Sequence, residues 1–348
     1  RSVGVTGVQT CALPIFGSTV ISALSDAGHT GIILDSLVTG RREFTEGRIF
    51  YQGDITDRAV LTRIFRDHPD IHAVLHCAAL IVVPDSVSSP YEYYRENVAK
   101  SNEMFHILHE LGCKRIVFSS SASVYGDVRL KPGEKPDFVV TENSYLNPSS
   151  PYARTKFIME MVLKDTCEAY GMKGIALRYF NPIGADPKYR SGIHVKEPSH
   201  VIGKLVDTAL GKIDHFTITG VNWPTRDGSG IRDYIYIWDL AQAHVKALTE
   251  FDQAFERNGD PDCRYLVINI GGGNGTTVKE LVDAFQRVYG KKIKIETAEP
   301  RPGDVAGAYA NADRAAKLLG WKAQYPIDEG IRTAIEWGEK RLKLLSWE

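Results

Sequence analysis

The sequence predicts a doubly wound, parallel α/β sheet with a smaller C-terminal α/β lobe. Strand-like and helix-like segments alternate as far as Tyr179, as they do in a parallel sheet built from strand–helix–strand units. Residues 73–79 form a continuous apolar run, which a parallel strand buried on both faces requires. Asp35 stands 18 residues after Gly17, close to the spacing of a dinucleotide-binding unit. A Rossmann-type sheet accounts for all three observations.

The elements of the first half are predicted from apolar runs that end at glycine, proline or charged residues. Gly28 is expected to end the first helix, because glycine is common just past a helix C-terminus. Polar residues and Pro151 begin a later helix, where proline suits the first turn. The strands are predicted at residues 3–6, 32–35, 49–51, 73–79 and 115–118, and the helices at 17–27, 91–111 and from 151 onward.

The second half changes character after a loop rich in glycine, proline and lysine at residues 184–198. Helices are predicted at residues 201–210 and 278–289, with short strands between them. The glycine-rich run at 271–275 lacks the Lys-Ser/Thr ending of a phosphate-binding loop. We therefore interpret it as a turn before a helix that Thr277 caps.

Composition argues against several classes of partner. The 348 residues include 42 basic and 43 acidic side chains, and this balance does not call for nucleic acid or an anionic membrane. The most apolar stretch, residues 73–83, is too short to span a bilayer. The five cysteines form no C-x-x-C pair and the ten histidines show no metal-ligand spacing, so neither disulfides nor a metal is expected. No secretory signal is recognisable, and we expect a cytoplasmic protein.

The loop between Gly7 and Gly17 departs from the dinucleotide pattern. Such loops place three glycines within about seven residues, so that peptide N–H groups reach the pyrophosphate. Here residues 8–16 intervene, they include Pro14, and only the two outer glycines remain. The run also resembles a translated sequencing-library adapter, which suggests that the authentic start has been overwritten. The chain as printed is predicted to bind a dinucleotide weakly.

Asp35 favours NAD over NADP. A carboxylate at the end of the second strand accepts hydrogen bonds from the ribose hydroxyls and repels a 2′-phosphate. Arg41 and Arg42 follow closely and weaken this discrimination. A solvated strand end is the alternative interpretation.

Tyr152 and Lys156 form a candidate proton-transfer pair. They are four residues apart, which places them on one face of a helix. An ammonium beside a phenol favours the phenolate, so the tyrosine pKa is predicted to fall towards neutrality, with help from a second positive charge. Composition alone would give about one such Tyr–Lys pair, and the context supplies the stronger argument. The serines at 119–121 end one predicted strand and Tyr179 ends another, so the carboxyl ends of the strands should bring these stretches together.

Four motifs together resemble the extended short-chain dehydrogenase/reductases. They are the serine cluster at 119–126, the Tyr-x-x-x-Lys pair, the run at 178–185 and the run at 230–235. The resemblance extends from about Phe16 to the C-terminus. It implies that residues 1–182 form an NAD-binding domain, to which part of 232–270 returns, and that 183–348 form mainly a UDP-sugar-binding lobe. It also implies a homodimer through the helix at 91–111 and the Tyr152 helix.

The resemblance implies NAD as cofactor and transfers its contacts to this chain. These are Gly7, Phe16, Gly17, Asp35, Asp54, Ile55, Cys77, Ala78, Ala79, Asn97, Ser119, Tyr152, Lys156, Tyr179 and Phe180. Within the family the motifs are most similar to members that interconvert UDP-glucose and UDP-galactose through a transient 4-keto sugar. Ser121, Tyr152 and Lys156 would be catalytic. The substrate contacts would be Ser121, Tyr152, Asn181, His200, Arg232, Arg301, Asp304 and Ala308.

Two positions bear on which substrate is bound. Thr219 stands where the family has an aromatic residue against the uracil, so that contact is not carried over. Relatives limited to non-acetylated sugars have a bulky tyrosine at the position that aligns with Ala308, whereas Tyr309 follows it here. With Ala308 in that place the resemblance implies room for an N-acetyl group, and a shift of one residue would remove it.

Two other functions remain open at this stage. Decarboxylases and dehydratases of the same family place an acid just after the serine or threonine of the cluster, and residues 122–124 contain none. A catalytically inactive nucleotide-binding or redox-sensing module is the alternative if the loop at 8–15 is genuine.

Overall fold

The computed structural model describes residues 4–8, 16–126, 137–301 and 304–347, with no side-chain description for 4–8. The strands are β1 (Gly4–Val8), β2 (Thr30–Asp35), β3 (Ile49–Gln52), β4 (Ile71–His76), β5 (Arg115–Ser121), β6 (Val139–Val140), β7 (Lys173–Tyr179), β8 (Asn181–Ile183), β9 (Phe216–Thr219), β10 (Ile231–Tyr236), β11 (Tyr265–Ile270), β12 (Gly275–Thr277), β13 (Ile295–Ala298) and β14 (Gly307–Ala310).

The helices complete the element list. They are α1 (Phe16–Asp26), α2 (Arg58–Asp67), α3 (Val83–Ser88), α4 (Pro90–Tyr93), α5 (Lys100–Glu110), α6 (Pro151–Tyr170), α7 (Val201–Ala209), α8 (Ile237–Thr249), α9 (Phe251–Asn258), α10 (Val278–Tyr289), α11 (Asp313–Leu319) and α12 (Ile327–Leu344). Short 3₁₀ turns lie at Arg42–Thr45 and Ala122–Tyr125.

Seven strands form one parallel sheet in the order β11-β7-β5-β4-β1-β2-β3. The chain runs outward from β1 through β2 and β3 and then returns to β4 on the other side of β1. This reversal is the switch point at which ligands bind in open α/β sheets. The predicted doubly wound parallel sheet is confirmed.

The second lobe holds two smaller sheets. One has the order β12-β10-β14-β6, with β8 also paired to β10, and the other pairs β13 with β9. Strand β11 pairs with β7 in the large sheet, and α8 packs against α1. The chain therefore returns to the large sheet after β10.

Local signals set the ends of the long helices. The Ser150 side chain accepts a hydrogen bond from the Ala153 N–H and caps α6, Pro151 occupies its first turn, and Gly171 ends it with φ of +64°. Thr277 caps α10 in a reciprocal box with Glu280, as the sequence predicted for the turn before this helix.

The predicted helix at 91–111 is interrupted. Helices α4 and α5 are joined by a π-helical turn, Tyr94–Ala99, which contains the buried Asn97. Such turns are often found near functional sites because they rotate one side chain out of the helical register.

Two hydrophobic layers cover the large sheet. Ile33, Leu75 and Val117 point into one cluster, whereas Ile32 and Val74 point into the other. Burial on both faces is the reason that these strands read as continuous apolar runs. Within the described ranges, no helix is both long and apolar enough to cross a membrane, and no group of three or more His, Cys, Asp or Glu is placed to hold a metal.

Candidate functional site

The carboxyl ends of four strands bring the predicted motifs to one edge of the sheet. Ser121 ends β5 and lies in register with Tyr179 at the end of β7. Asp35 ends β2, and the small residues 77–79 follow β4. The parallel topology makes these ends neighbours, so the convergence expected from the sequence is present.

Tyr152 and Lys156 lie one turn apart on α6, and both side chains are buried. The Lys156 ammonium donates a hydrogen bond to the Ser119 carbonyl oxygen at 2.9 Å. It lies 6.0 Å from the centroid of the Tyr152 ring and 5.0 Å from that of Phe118. The helix therefore holds the pair against the end of β5.

The protein groups alone do not produce the lowering of the Tyr152 pKa, for which the sequence analysis invoked a second positive charge. Burial raises the pKa of Tyr152 to about 12, and a side-chain hydrogen bond with Ser121 opposes this only in part. Burial also lowers the pKa of Lys156 to about 8, and electrostatic interactions with Cys77 and Glu160 oppose this shift. Desolvation outweighs the pairing, so a further positive charge is needed to favour the phenolate.

The serine cluster continues into a 3₁₀ turn, Ala122–Tyr125. The Ser121 hydroxyl oxygen caps this turn by accepting a hydrogen bond from the Ser123 N–H at 3.2 Å. In the part of the chain that the structure describes, the buried Ser123 hydroxyl has no hydrogen-bond partner. Buried polar groups rarely remain unpaired. Ser123 is thus a candidate substrate contact that the sequence analysis missed, although it stands two residues after Ser121.

Asp35 has the chemistry that an adenosine ribose requires. It is 3% exposed at the end of β2, and one carboxylate oxygen accepts the Leu37 N–H at 2.7 Å. Burial raises the pKa of Asp35 to about 6, against that backbone hydrogen bond. A Cβ on Gly40 would come within 2.8 Å of the carboxylate, so the loop after β2 closes tightly over it. The second carboxylate oxygen of Asp35 can accept a hydrogen bond from a ribose hydroxyl. These residues therefore fit the adenosine end of NAD.

The other predicted adenosine contacts are partly engaged within the protein. Asp54 accepts hydrogen bonds from Lys100 at 2.7 Å and from the Thr56 hydroxyl at 2.7 Å. These interactions outweigh burial and lower the pKa of Asp54. Ile55 is buried among the residues that cover one face of the sheet.

Asn97 supports the backbone beside the predicted cofactor site. Its amide accepts from the Leu80 N–H at 2.7 Å, and donates to the Leu80 oxygen at 2.9 Å and to Thr155 at 3.0 Å. The side chain is fully buried. In this geometry Asn97 holds the segment that follows Cys77, Ala78 and Ala79.

The side chains of Ser119 and Phe16 contact other side chains of the protein. The Ser119 hydroxyl lies 3.2 Å from the Cys77 sulfur and 3.1 Å from the His244 Nε2. The Phe16 ring is fully buried and packs against Tyr179 and His244, with centroid separations of 5.5 and 4.4 Å. His244, on the returning helix α8, was not predicted, because its spacing in the sequence carries no signal for this contact.

Behind Tyr152 and Lys156 lies a buried ion pair, Glu160 with Arg178. Their closest N–O distance is 2.6 Å and both side chains are about 5% exposed or less. Ser120 donates to Glu160 at 2.5 Å, and Arg178 donates to the Tyr125 hydroxyl at 3.1 Å. Although burial opposes the charge, the hydrogen bonds to Glu160 keep the pKa of Arg178 above its usual value. This network ties α6 to β5 and β7.

The Glu160→Gln variant is expected to lose about 3–5 kcal/mol of unfolding free energy, because Arg178 would remain buried without a counter-charge. Urea unfolding measures the loss. Glu168→Gln is the matched control on the same helix, because Glu168 pairs with Lys164 at 3.7 Å with both side chains more than half exposed. A loss no larger than that of the control would contradict the prediction.

A pocket of about 430 Å³ lies in the second lobe. Its wall includes Ser199, Val201, Lys204, Phe216, Thr219 and Arg301. Arg301 is exposed and faces Asp304, with N–O distances of 3.3 and 3.4 Å. The apolar wall and the cations suit a nucleotide base and its phosphates.

Arg232 and His200 have positions that the sequence did not predict. The Arg232 guanidinium donates to the carbonyl oxygens of Ile231 at 2.7 Å, Ala306 at 2.9 Å and Val305 at 3.1 Å. Burial, with the nearby Arg341 charge, lowers the pKa of His200 to about 4, and its ring lies against Gly203. The neighbours of His200, Ser199 and Val201, line the pocket instead.

Strand alternation along β14 determines which of Ala308 and Tyr309 lies next to the serine cluster. Ala308 packs with Val124 and Phe180, next to the serine cluster, whereas Tyr309 packs on the opposite face with Phe138 and Ile231. Neighbouring strand residues point to opposite faces. The small residue is therefore the one that faces Val124 and Phe180.

The remaining predicted residues lie at the start of β8, within β1 or outside the described residues. Asn181 is exposed at the start of β8, directly after Phe180. Gly7 lies within β1, in register with Ile33 and Leu75. The altered loop, residues 9–15, and residues 302–303 of the predicted clamp lie outside the described residues.

Comparison with known proteins places this arrangement among nucleotide-sugar enzymes. The pattern of the NAD dependent epimerase/dehydratase family matches residues 5–271. The chain is 38% identical to a UDP-glucose 4-epimerase of Azospirillum brasilense over 92% of this chain and 88% of that protein.

Two solved structures share the whole architecture. One is the UDP-glucose-4-epimerase from Stenotrophomonas maltophila with bound NAD and formylated UDP-arabinopyranose, with 31% identity, a TM-score of 0.87 and coverage of 99% of both chains. The other is the UDP-glucose 4-epimerase from Brucella ovis in complex with NAD. It has 32% identity, a TM-score of 0.85 and coverage of 97% of this chain and 99% of that one.

Proposed function

The chain belongs to the NAD-dependent epimerase/dehydratase family, and from that premise we propose that it interconverts UDP-glucose and UDP-galactose by epimerisation at C4. The observation that carries the proposal is the placement of Tyr152 and Ser121 together at the strand ends, with Ala308 and the cation-lined pocket in the second lobe. This arrangement suits a sugar at the serine cluster with its nucleotide in the pocket.

The chemistry follows from the residues at the strand ends. A bound NAD would supply the hydride acceptor for C4 of the sugar and the hydride donor for its opposite face. Tyr152 takes the proton of the 4-hydroxyl and later gives it back. Ser121 hydrogen-bonds the same hydroxyl, and the buried Lys156 supplies positive charge beside the phenol. Asp35 would hold the adenosine ribose.

The related decarboxylases and dehydratases fit less well. Their reactions need an acid or base at C5 or C6 of the sugar, just after the cluster serine. The 3₁₀ turn Ala122–Tyr125 has no acidic side chain. Epimerisation needs only one proton acceptor, and Tyr152 supplies it.

We include the N-acetylated sugars among the proposed substrates. Ala308 and Ala310 pack with Val124 and Phe180 on the face of β14 next to the serine cluster. A methyl side chain at 308 leaves space where a tyrosine ring would stand, and an N-acetyl group can occupy that space.

The Ala308→Tyr variant tests this specificity. We expect kcat/KM for UDP-N-acetylglucosamine to fall by about 10- to 100-fold relative to that for UDP-galactose, because overpacking costs about 1–3 kcal/mol. Tyr309→Leu changes bulk on the opposite face and should leave the ratio unaltered. Absence of activity on acetylated sugars in a preparation active on UDP-galactose would exclude the proposal.

A homodimer and a cytoplasmic location complete the proposal. Tyr91, Met161 and Tyr170 are exposed apolar side chains on α4 and α6, where a second copy would cover them. Sedimentation at about twice the 38.7 kDa chain mass is the expected result. The free, mostly buried thiols among the described residues suit a reducing compartment.

The decisive test is conversion of UDP-galactose to UDP-glucose by the purified protein, with and without saturating NAD. Conversion that needs no other oxidant supports the proposal, because the cofactor is regenerated in each cycle. Failure at saturating NAD, in the printed chain and in a chain with a restored glycine loop, would contradict it.

A further inference from the structure

The charged side chains that line the pocket of the second lobe differ in whether an opposite charge lies beside them. Arg301 at one end faces Asp304, with a shortest N–O distance of 3.3 Å. Asp214, another residue of the wall, pairs with Lys294 at 2.5 Å. Each of these charges has a counter-charge before any ligand arrives.

Lys204 is different. It lies on the second turn of α7, is half-buried and lines the pocket. Within the described ranges, its ammonium has neither a hydrogen-bond acceptor nor an acidic partner. The helix that carries it is closely packed, since a Cβ on Gly203 would come within 2.4 Å of Pro198. The lysine therefore projects from a well-supported backbone into the pocket.

Arg232, the other predicted phosphate contact, is engaged by main-chain groups in this geometry. Three main-chain carbonyl oxygens, those of Ile231, Val305 and Ala306, accept its guanidinium hydrogen bonds. These hydrogen bonds use three of the five N–H donors of the guanidinium and hold it against the segment before β14. Among the described residues none accepts a hydrogen bond from Lys204, so its ammonium has no such contact to exchange for a phosphate.

We propose that Lys204 binds the diphosphate of the nucleotide sugar, beside Arg301. This inference rests on the proposed function for the identity of the ligand. A lysine ammonium has three donors and no acceptor, so its partner must be an acceptor, and phosphate oxygens carry the ligand's negative charge. Low polarity in the wall, from Val201 and Phe216, strengthens the attraction.

The test compares four proteins: the unchanged chain, Lys204→Met, Lys204→Arg and Lys212→Met. Lys212 is the matched control, because it is exposed beyond the same helix and pairs with Asp207 at 3.4 Å. Calorimetry gives the affinities for UDP and uridine without any need for NAD. Steady-state kinetics at saturating NAD gives KM and kcat for UDP-galactose.

Loss of one charge-assisted contact should weaken UDP binding and raise KM by about 10- to 100-fold in Lys204→Met, with kcat nearly unchanged. Lys204→Arg should restore most of the affinity, and uridine binding and the Lys212→Met protein should not change. The UDP affinity of the unchanged chain should also fall more steeply with salt than that of Lys204→Met.

Unaltered UDP affinity in Lys204→Met would overturn the inference. Equal losses for uridine and UDP would also overturn it, because they would assign the lysine to the base. A selective loss for UDP supports it even in a preparation that converts no UDP-galactose, whereas such inactivity would count against the proposed function alone.

Discussion

The Tyr152→Phe protein is expected to fold normally and to lose turnover by about 10²- to 10⁴-fold. The substitution removes one hydroxyl and nearly preserves the volume of a side chain that is 6% exposed. The lost group is the proton acceptor, and Tyr152 lies one turn from Lys156 on α6. Turnover is measured as UDP-galactose conversion at saturating NAD, and folding by circular dichroism.

Tyr170→Phe is the matched control for this prediction. Tyr170 stands at the end of the same helix, is 44% exposed and stacks on His109 at a centroid distance of 4.2 Å. Phenylalanine can make the same stack, so we expect no loss of turnover. A Tyr152→Phe protein that turns over near the unchanged rate would show that the base is another group.

The second large effect concerns the loop that carries Pro14. We expect the chain as printed to purify largely without NAD and to show little activity, and replacement of residues 8–16 by Gly-x-Gly-Phe-Ile to restore both. Residues 8–16 lack the glycines that let peptide N–H groups reach the pyrophosphate, and Pro14 has no N–H. Two or three lost charge-assisted hydrogen bonds, at about 1.5–3 kcal/mol each, weaken NAD by several orders of magnitude.

The ultraviolet spectra and epimerase rates of the two proteins, measured side by side, test the loop. A third protein with Ser-x-Ser-Phe-Ile in the same place has the repaired length without the glycines. It should stay poor in NAD if backbone access is the cause. Full NAD occupancy in the printed chain would show that residues 8–16 form a phosphate site by another route, and would remove the basis for an inactive module.

Much of the fold was determined by local patterns in the sequence. Apolar runs predicted the parallel strands, and polar residues followed by a proline predicted the start of α6. Because parallel strands end at one edge, the convergence of Ser121, Tyr152 and Tyr179 also followed from sequence order. These features depend on neighbours in the chain, and the sequence contains them directly.

Only the tertiary structure decided what each of these side chains faces. Burial raises the pKa of Tyr152, main-chain carbonyl oxygens accept hydrogen bonds from Arg232, and strand alternation turns Ala308 rather than Tyr309 towards Val124. Lys204 became a ligand candidate because it lines the pocket and no described residue accepts a hydrogen bond from it, which its neighbours in sequence do not reveal. Desolvation and long-range pairing depend on groups far apart in the chain, so these properties appear only once the chain is folded.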